Sequence, residues 1–380
     1  MRQRLINLTV TAGTLFTLAL RSQAATSLAG IDNNTNLTFY GDLRVRYELD
    51  WDSHTPSGSV RDDRNRGRLR ARAGFGYQLS DAWSVGARVR TGNSDSQQSP
   101  HLTFASDDGV RDNLDFVIDR YFIQFKQGGF AGWAGRNTTP FWQQNELFWD
   151  EDVTLTGLAA NYDLHVGKGN LSIIGGAFCL PDGGYEFNGQ MYSGQIKYSQ
   201  PVKVSQVTLA AGLNYLHGQS GAMNLRNQNG ERDYLLGVAS AQWGMPVKGI
   251  PFTLGADLFY NFLDYRAADV APFPAADANE TLGYVFSAQL GQLKKRNDWM
   301  VGYFYAHIET FAVNASYAQD DWFRFGNTTQ TDASDFQGHE VRFGYALSKN
   351  INLVARVFLV EAITTHQDGN RARLDLNWKF

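Results

Sequence analysis

From about residue 36 the chain alternates apolar and polar positions with period two, in stretches close to the roughly 9–11 residues that a tilted strand needs to cross a bilayer. "LTFYGDLRVRYEL" sets Leu37, Phe39, Leu43, Val45 and Tyr47 on one face and Asp42, Arg44, Arg46 and Glu48 on the other. "RGRLRARAGF" sets Arg66, Arg68, Arg70 and Arg72 against Gly67, Leu69, Ala71, Ala73 and Phe75, and "WSVGARVR" adds Arg88 and Arg90. "RARLDLNWKF" places Ala372, Leu374, Leu376, Trp378 and Phe380 opposite Arg371, Arg373, Asp375, Asn377 and Lys379.

The connections between such stretches alternate in length. Long ones cover 50–64, 91–113, 137–153, 180–189, 217–230, 263–279, 309–337 and 361–369; short ones fall between them, such as 79–82, 127–130, 199–204 and 347–350. A soluble sandwich also alternates, but with shorter strands and a less regular rhythm of connections. One set of tight turns and one set of long loops predicts an all-β fold: a transmembrane antiparallel β-barrel with short periplasmic turns and long extracellular loops. The count is sixteen strands, a single domain over residues 25–380. Tyr47, Tyr77, Trp83, Tyr198 and Trp378 fall near strand ends, where aromatic girdles form.

Composition sharpens this picture. A net charge of −4 argues against a general nucleic-acid partner. Mean hydropathy resembles that of a soluble chain, but each lipid-facing residue is cancelled by a lumenal one. "MRQRLINLTVTAGTLFTLALRSQAA" carries Arg2 and Arg4, an apolar stretch from Leu5 to Leu20 and then Ser22-Gln23-Ala24, the pattern of a signal peptide over residues 1–24. Later segments contain no run of 18 apolar residues, so strands must do the crossing. On the lipid face an arginine at the bilayer midplane costs about 2–4 kcal/mol, so the arginines belong to a water-filled lumen.

Specific blocks resemble a known family. "GRNTTPFWQQNELFWDEDVTLTGLAANYDL", with Gly135, Arg136, Pro140, Phe141, Trp142, Trp149, Asp150, Asp152 and Gly157, is similar to a segment of the Gram-negative putative porin family. "DASDFQGHEVRFGYALSKNINLVARVFL" resembles that family's closing strand–turn–strand. The resemblance implies an outer-membrane diffusion channel among lipid and lipopolysaccharide. It also implies Phe380 as an assembly signal for the barrel assembly machinery, and a homotrimer by analogy with general porins.

In general diffusion porins the third long loop folds inward, and the resemblance implies the same for 137–153. Glu146, Asp150, Glu151 and Asp152 cluster there beside the bulky Phe141, Trp142, Phe148 and Trp149, which could wedge the loop against the inner wall. Facing it, Arg44, Arg46, Arg68, Arg70, Arg72, Arg88, Arg90, Arg371 and Arg373 fall on adjacent strands once the last strand pairs with the first, diluted by few carboxylates such as Asp42, Glu48 and Asp375. A positive excess at a constriction favours anions. Arg120, Arg136, Arg342 and Arg356 also read inward.

The chemistry of other classes is thin. The single Cys179 excludes an internal disulfide framework, and the seven histidines lack paired metal-site spacing, so neither metal nor cofactor is expected. The expectation is a non-enzymatic, passive porin for small hydrophilic solutes and ions. The alternatives are a substrate-selective channel for an anionic or oligosaccharide solute, a barrel hydrolase built around His339 and Asp335, or a purely structural barrel.

Overall fold

The computed structural model describes residues 36–93, 98–109, 114–180, 189–218, 232–324 and 333–380. The chain divides into Met1–Thr38 and Phe39–Phe380, and the second unit forms the barrel. The signal-peptide reading of residues 1–24 lies outside the described residues.

The strands are β1 (Leu37–His54), β2 (Val60–Arg61), β3 (Arg64–Gln78), β4 (Trp83–Thr91), β5 (Leu102–Ser106) and β6 (Phe116–Gln127). There follow β7 (Phe130–Thr138), β8 (Thr154–Val166), β9 (Gly169–Cys179), β10 (Gln190–Val202), β11 (Ser205–His217) and β12 (Tyr234–Val247). The set ends with β13 (Ile250–Asn261), β14 (Leu282–Gly291), β15 (Trp299–Ile308), β16 (Phe336–Ala346), β17 (Ile351–Ala362) and β18 (Asp368–Lys379). Two are short additions from long loops. β2 adds two residues beside the end of β1, and β5 lies against β3 from Arg66↔Ser106 to Leu69↔Leu102. The other sixteen pair antiparallel in sequence order, and β1 pairs with both β18 and β3, so the sheet closes into a sixteen-stranded barrel.

Sidedness is inverted relative to a soluble protein. Arg46, Arg70 and Arg371 are 1–2% exposed, whereas Val45, Leu374 and Trp378 on neighbouring positions are 37–48% exposed. That is the arrangement expected where lipid rather than water bathes the outside. Trp83, Trp243, Trp299 and Trp378 are all exposed on the short-turn half, as an interfacial belt requires.

Local chemistry sets the turns and the closure. Gln127 and Phe130 face each other across Gly128-Gly129, and Gly128 has φ +59°, which suits a two-residue hairpin turn. Gly41 and Phe380 exchange both backbone hydrogen bonds at 3.1 Å, tying β1 to β18 at the short-turn rim. A register shift between Arg88 and Val89 against β6 marks a bulge. It breaks the alternation of β6, so that Asp119 is buried inside although Ile118 and Tyr121 both face out.

The apolar core lies inside the long-loop half of the barrel. One cluster gathers Leu147, Phe259, Phe304, Val313, Trp322, Phe336 and Phe358; the other gathers Trp149, Leu155, Phe178, Tyr234, Phe311 and Tyr317. Both are built from wall residues and from two loop segments turned inward, 139–153 and 309–324.

Candidate pore constriction

The seam between β1 and β18 sets opposite charges face to face. Its register pairs Arg44 with Asn377, Arg46 with Asp375, Glu48 with Arg373 and Asp50 with Arg371. The side chains follow the register. Arg44 Nε donates to Asn377 Oδ1 at 2.7 Å and Arg46 Nε to Asp375 Oδ1 at 2.7 Å. Arg373 Nε donates to Glu48 Oε2 at 2.6 Å and Arg371 Nε to Asp50 Oδ1 at 2.6 Å. Such charge-assisted bonds are stronger than neutral ones and fix geometry.

The arginines of β3 extend this wall. Arg66 Nε donates to Glu48 at 2.9 Å, and Arg68 donates to Ser99 Oγ at 2.9 Å. Arg70 and Arg72 share Asp42, with Arg70 Nη2 at 3.1 Å and Arg72 Nε at 2.7 Å from its carboxylate. On β4, Arg88 Nε donates to Asp119 at 3.1 Å, and Arg90 donates to the carbonyls of Thr91 and Asn93 at 3.0 and 3.3 Å. More carboxylates meet this wall than Asp42, Glu48 and Asp375. Asp50, Asp119 and Asp321 also engage it. Asp50 continues the polar face of Glu48, Asp119 is turned in by the bulge, and Asp321 arrives from a loop.

The 139–153 loop crosses the interior. At its base Gly135 (φ +118°) pairs with Gly157, and a Cβ on Gly135 would collide with the Tyr121 carbonyl and lie 2.9 Å from Phe122 Cα. No other residue fits there. The half-buried Pro140 opens the loop. Phe141 packs on Phe178 with ring centroids 6.3 Å apart, and Phe148 on Phe259 at 5.5 Å. Trp142 and Gln195 of β10 exchange two hydrogen bonds at 2.8 and 2.9 Å, and Asn145 donates to Asp257 of β13 at 2.6 Å. The acidic end then reaches the arginines. Arg70 Nη1 lies 3.1 Å from Asp152 and 3.2 Å from Glu151, and Arg72 Nη1 also donates to Asp152. The loop carboxylates lie on the arginine wall itself, not across a gap from it.

Glu146 and Asp150 have a different role. Gln319 donates from its backbone to the Glu146 carbonyl at 3.1 Å and from its side chain to Glu146 Oε2 at 2.8 Å. Asp150 N donates to the Tyr317 carbonyl at 2.8 Å, Asp150 Oδ1 accepts from Asp152 N at 2.7 Å, and Trp149 stacks on Tyr317 at 5.1 Å. Burial, and then the neighbouring Glu151, push Glu146 up to about 7 against the pull of Arg356. Burial, Glu146 and Asp152 push Asp150 well above the usual range. Glu151 differs: burial alone would raise it, but Arg70, Arg44 and Arg72 outweigh that and hold it at about 2.

A raised carboxyl favours the packed loop while protonated. The contribution of Glu146 is whole below its ordinary 4.5, declines as pH rises towards about 7 and is absent above that. Hydrogen-exchange protection of 139–153 and 309–324, corrected for intrinsic exchange, is therefore expected to fall across that window. The profile should flatten in a Glu146→Gln, Asp150→Asn variant. A fall of equal size in that variant would remove these carboxyls as its cause.

Sequence reading missed the inward turn of 309–324. Its signal was the run of Phe311, Val313, Tyr317, Trp322 and Phe323, too apolar for a solvated loop. It missed Gln98 as well, which donates to the carbonyls of Ala315, at 2.8 Å, and Ala318. His339 and Asp335 do not form a catalytic pair. His339 bonds the Tyr303 hydroxyl at 2.8 Å on the outer face, while Asp335 accepts from the Thr364 hydroxyl at 2.7 Å. Among the described residues no group of three His, Cys, Asp or Glu side chains is placed to hold a metal ion.

A closed sixteen-stranded barrel with lipid-facing apolar residues and charged loops in its lumen is an outer-membrane channel of the porin type. Residues 50–199 match the family model described as putative porin, which bears out the resemblance read from the Gly135–Gly157 block. No curated protein matches the sequence. Among solved structures, Pseudomonas putida OprB in its high-pH form is 13% identical, with a TM-score of 0.58 over 91% of this chain and 94% of that one. Salmonella typhi OmpF, in complex with daunomycin, is 11% identical, with a TM-score of 0.54 over 92% of this chain and 99% of that one. In-vitro folded Vibrio cholerae OmpT, in trimer form, is 11% identical, with a TM-score of 0.50 over 90% of this chain and 99% of that one. At such identities the likeness is one of fold; the barrel itself, with the match to the putative porin model, indicates the bacterial outer membrane.

Proposed function

We propose that the protein is a passive diffusion channel for small hydrophilic solutes and ions, narrowed where the 139–153 loop meets the arginine wall. The observation that carries this reading is the contact of Arg70 and Arg72 with Asp152, which brings charges of both signs to one place in the lumen. Solutes move down their gradients, and wall charge biases which ions enter. Arg44, Arg46, Arg68, Arg70, Arg72, Arg88, Arg90, Arg371 and Arg373 form the basic side, and Glu151 and Asp152 the acidic edge. The bonds of Phe380 to Gly41 suit a C-terminal strand recognised by the barrel assembly machinery, with lipid and lipopolysaccharide around the outer face. A homotrimer is the assembly we favour, by analogy with the trimeric OmpT structure.

The test is conductance in a planar bilayer. Purified barrel, its fold checked by heat-modifiable mobility in electrophoresis, is expected to give stepwise currents that grow with salt concentration. A folded, inserted barrel without steps would leave a scaffold and end the channel reading.

A further inference from the structure

The arginine wall does not meet the acidic loop alone. The 309–324 segment is packed inside the barrel, with Trp322 against Phe336 and Phe358 at 5.5 and 5.6 Å and Phe323 against Phe336 at 4.8 Å. This anchoring sets Asp321 at the wall. Its carboxylate lies 2.6 Å from Arg373 Nη1 and 3.5 Å from Arg46 Nη1, and its carbonyl accepts from Arg371 Nη1 at 2.9 Å.

The geometry points to Asp321 as a specificity-determining residue of the channel, a loop carboxylate that answers the charge of both Arg46 and Arg373. The deduction rests on the channel reading above. Both guanidiniums already spend their Nε on wall carboxylates, Arg46 on Asp375 and Arg373 on Glu48. Arg46 also gives its Nη2 to Asp375 at 3.1 Å, and the Nη1 of each arginine lies against Asp321. The wall thus neutralises one side of each cation and the inward segment the other. Without Asp321 those faces turn to the lumen, and the charge felt by a passing ion becomes more positive by one unit. Asp321 is itself 18% exposed at its side chain and borders a polar space with Arg44, Glu151, Asp152 and Arg356. It therefore acts on the same water as the 139–153 loop. Its neighbours in sequence show why the position is fixed rather than free: Gln319 is held by Glu146 on one side and Trp322 by the wall on the other.

The experiment is the reversal potential of single channels in a shallow KCl gradient near 0.1 M. Asp321→Asn, which keeps the shape and drops the charge, is expected to raise the anion-to-cation permeability ratio about twofold. That is the change for removing one unit charge about 10 Å from the ion path in a water-like dielectric, with salt screening over about the same distance. Asp321→Glu should keep the ratio of the unaltered protein. A segment that merely staples the loops would be disturbed by the longer side chain as much as by the amide. Should Asp321→Asn lack heat-modifiable mobility, Asp321→Ser provides the same loss of charge in a smaller side chain. Conducting channels whose ratio ignores the loss of charge overturn the assignment of Asp321 and leave the channel reading standing. Absence of conductance in the unaltered protein overturns both.

Discussion

Replacing Arg70 and Arg72 together by glutamine is expected to move the reversal potential towards cations, lowering the anion-to-cation permeability ratio by about tenfold at 0.1 M salt. Each lost unit charge near the ion path in a water-like dielectric accounts for a few-fold of that change. The two arginines hold Asp42 between them and reach Asp152, so their loss leaves these carboxylates and Glu151 as the dominant charges there. The positions stay polar and lumenal, and the barrel should still form. Screening spans about 10 Å at 0.1 M and about 3 Å at 1 M, so the shift should shrink as salt rises. Asp152→Asn should move the potential the opposite way. Asp150→Asn should do less than Asp152→Asn, because burial, Glu146 and Asp152 push that carboxyl towards its neutral form. Reversal potentials that ignore Arg70, Arg72 and Asp152 alike at low salt would put these charges outside the ion path.

The largest effect on stability is expected at Glu48. The residue is fully buried, accepts from Arg66 Nε at 2.9 Å and Arg373 Nε at 2.6 Å, and lies 3.9 and 4.0 Å from Arg68 and Arg371. Four guanidiniums therefore converge on one carboxylate. Glu48→Gln preserves its shape but leaves them mutually repelling, and breaking a buried ionic partner typically costs about 3–5 kcal/mol. The measurement is urea unfolding in detergent, or the temperature at which heat-modifiable mobility is lost. Asp269→Asn is the control. Its pair with Arg266 lies in an exposed loop and is expected to be silent. Equal midpoints for the two variants would mean that lumenal water solvates the arginines well enough to replace Glu48.

The fold was legible because one physical contrast, lipid against water, acts on every second residue of every strand. Arg44 to Asp50 and Arg371 to Asp375 could be placed from parity alone, and the alternation of long and short connections supplied closure. Asp119 could not be placed that way, because the bulge opposite Arg88 shifts the parity of β6 partway along. Asp50 could have been, since it shares the face of Glu48. The inward course of 309–324 was hidden for a different reason. Its burial comes from contact with another loop and with the far wall, and such contacts leave no period in the sequence. The acidic cluster of 139–153 was found as a group, but the split between Glu151 and Asp152, which meet arginines, and Glu146 and Asp150, which meet the 309–324 segment, depends on which neighbour each one meets. Nothing short of the three-dimensional packing records that.

The ionic seam bears on the chain before it is a barrel. An unclosed sheet has two bare edges, here β1 and β18, and a bare edge will accept any strand that offers amides, including one from another molecule. Each edge carries its own sequence of inward charges: Arg46, Glu48, Asp50 on one and Asp375, Arg373, Arg371 on the other. A slip of two residues, the smallest that keeps the apolar side outward, sets Arg46 against Arg373 in one direction and Glu48 against Asp375 in the other. The native register sets three opposite-charged pairs and no like-charged one, whereas either slip trades one of them for a like-charged pair, so the salt bridges that line the lumen also bias the closing edges towards their own alignment.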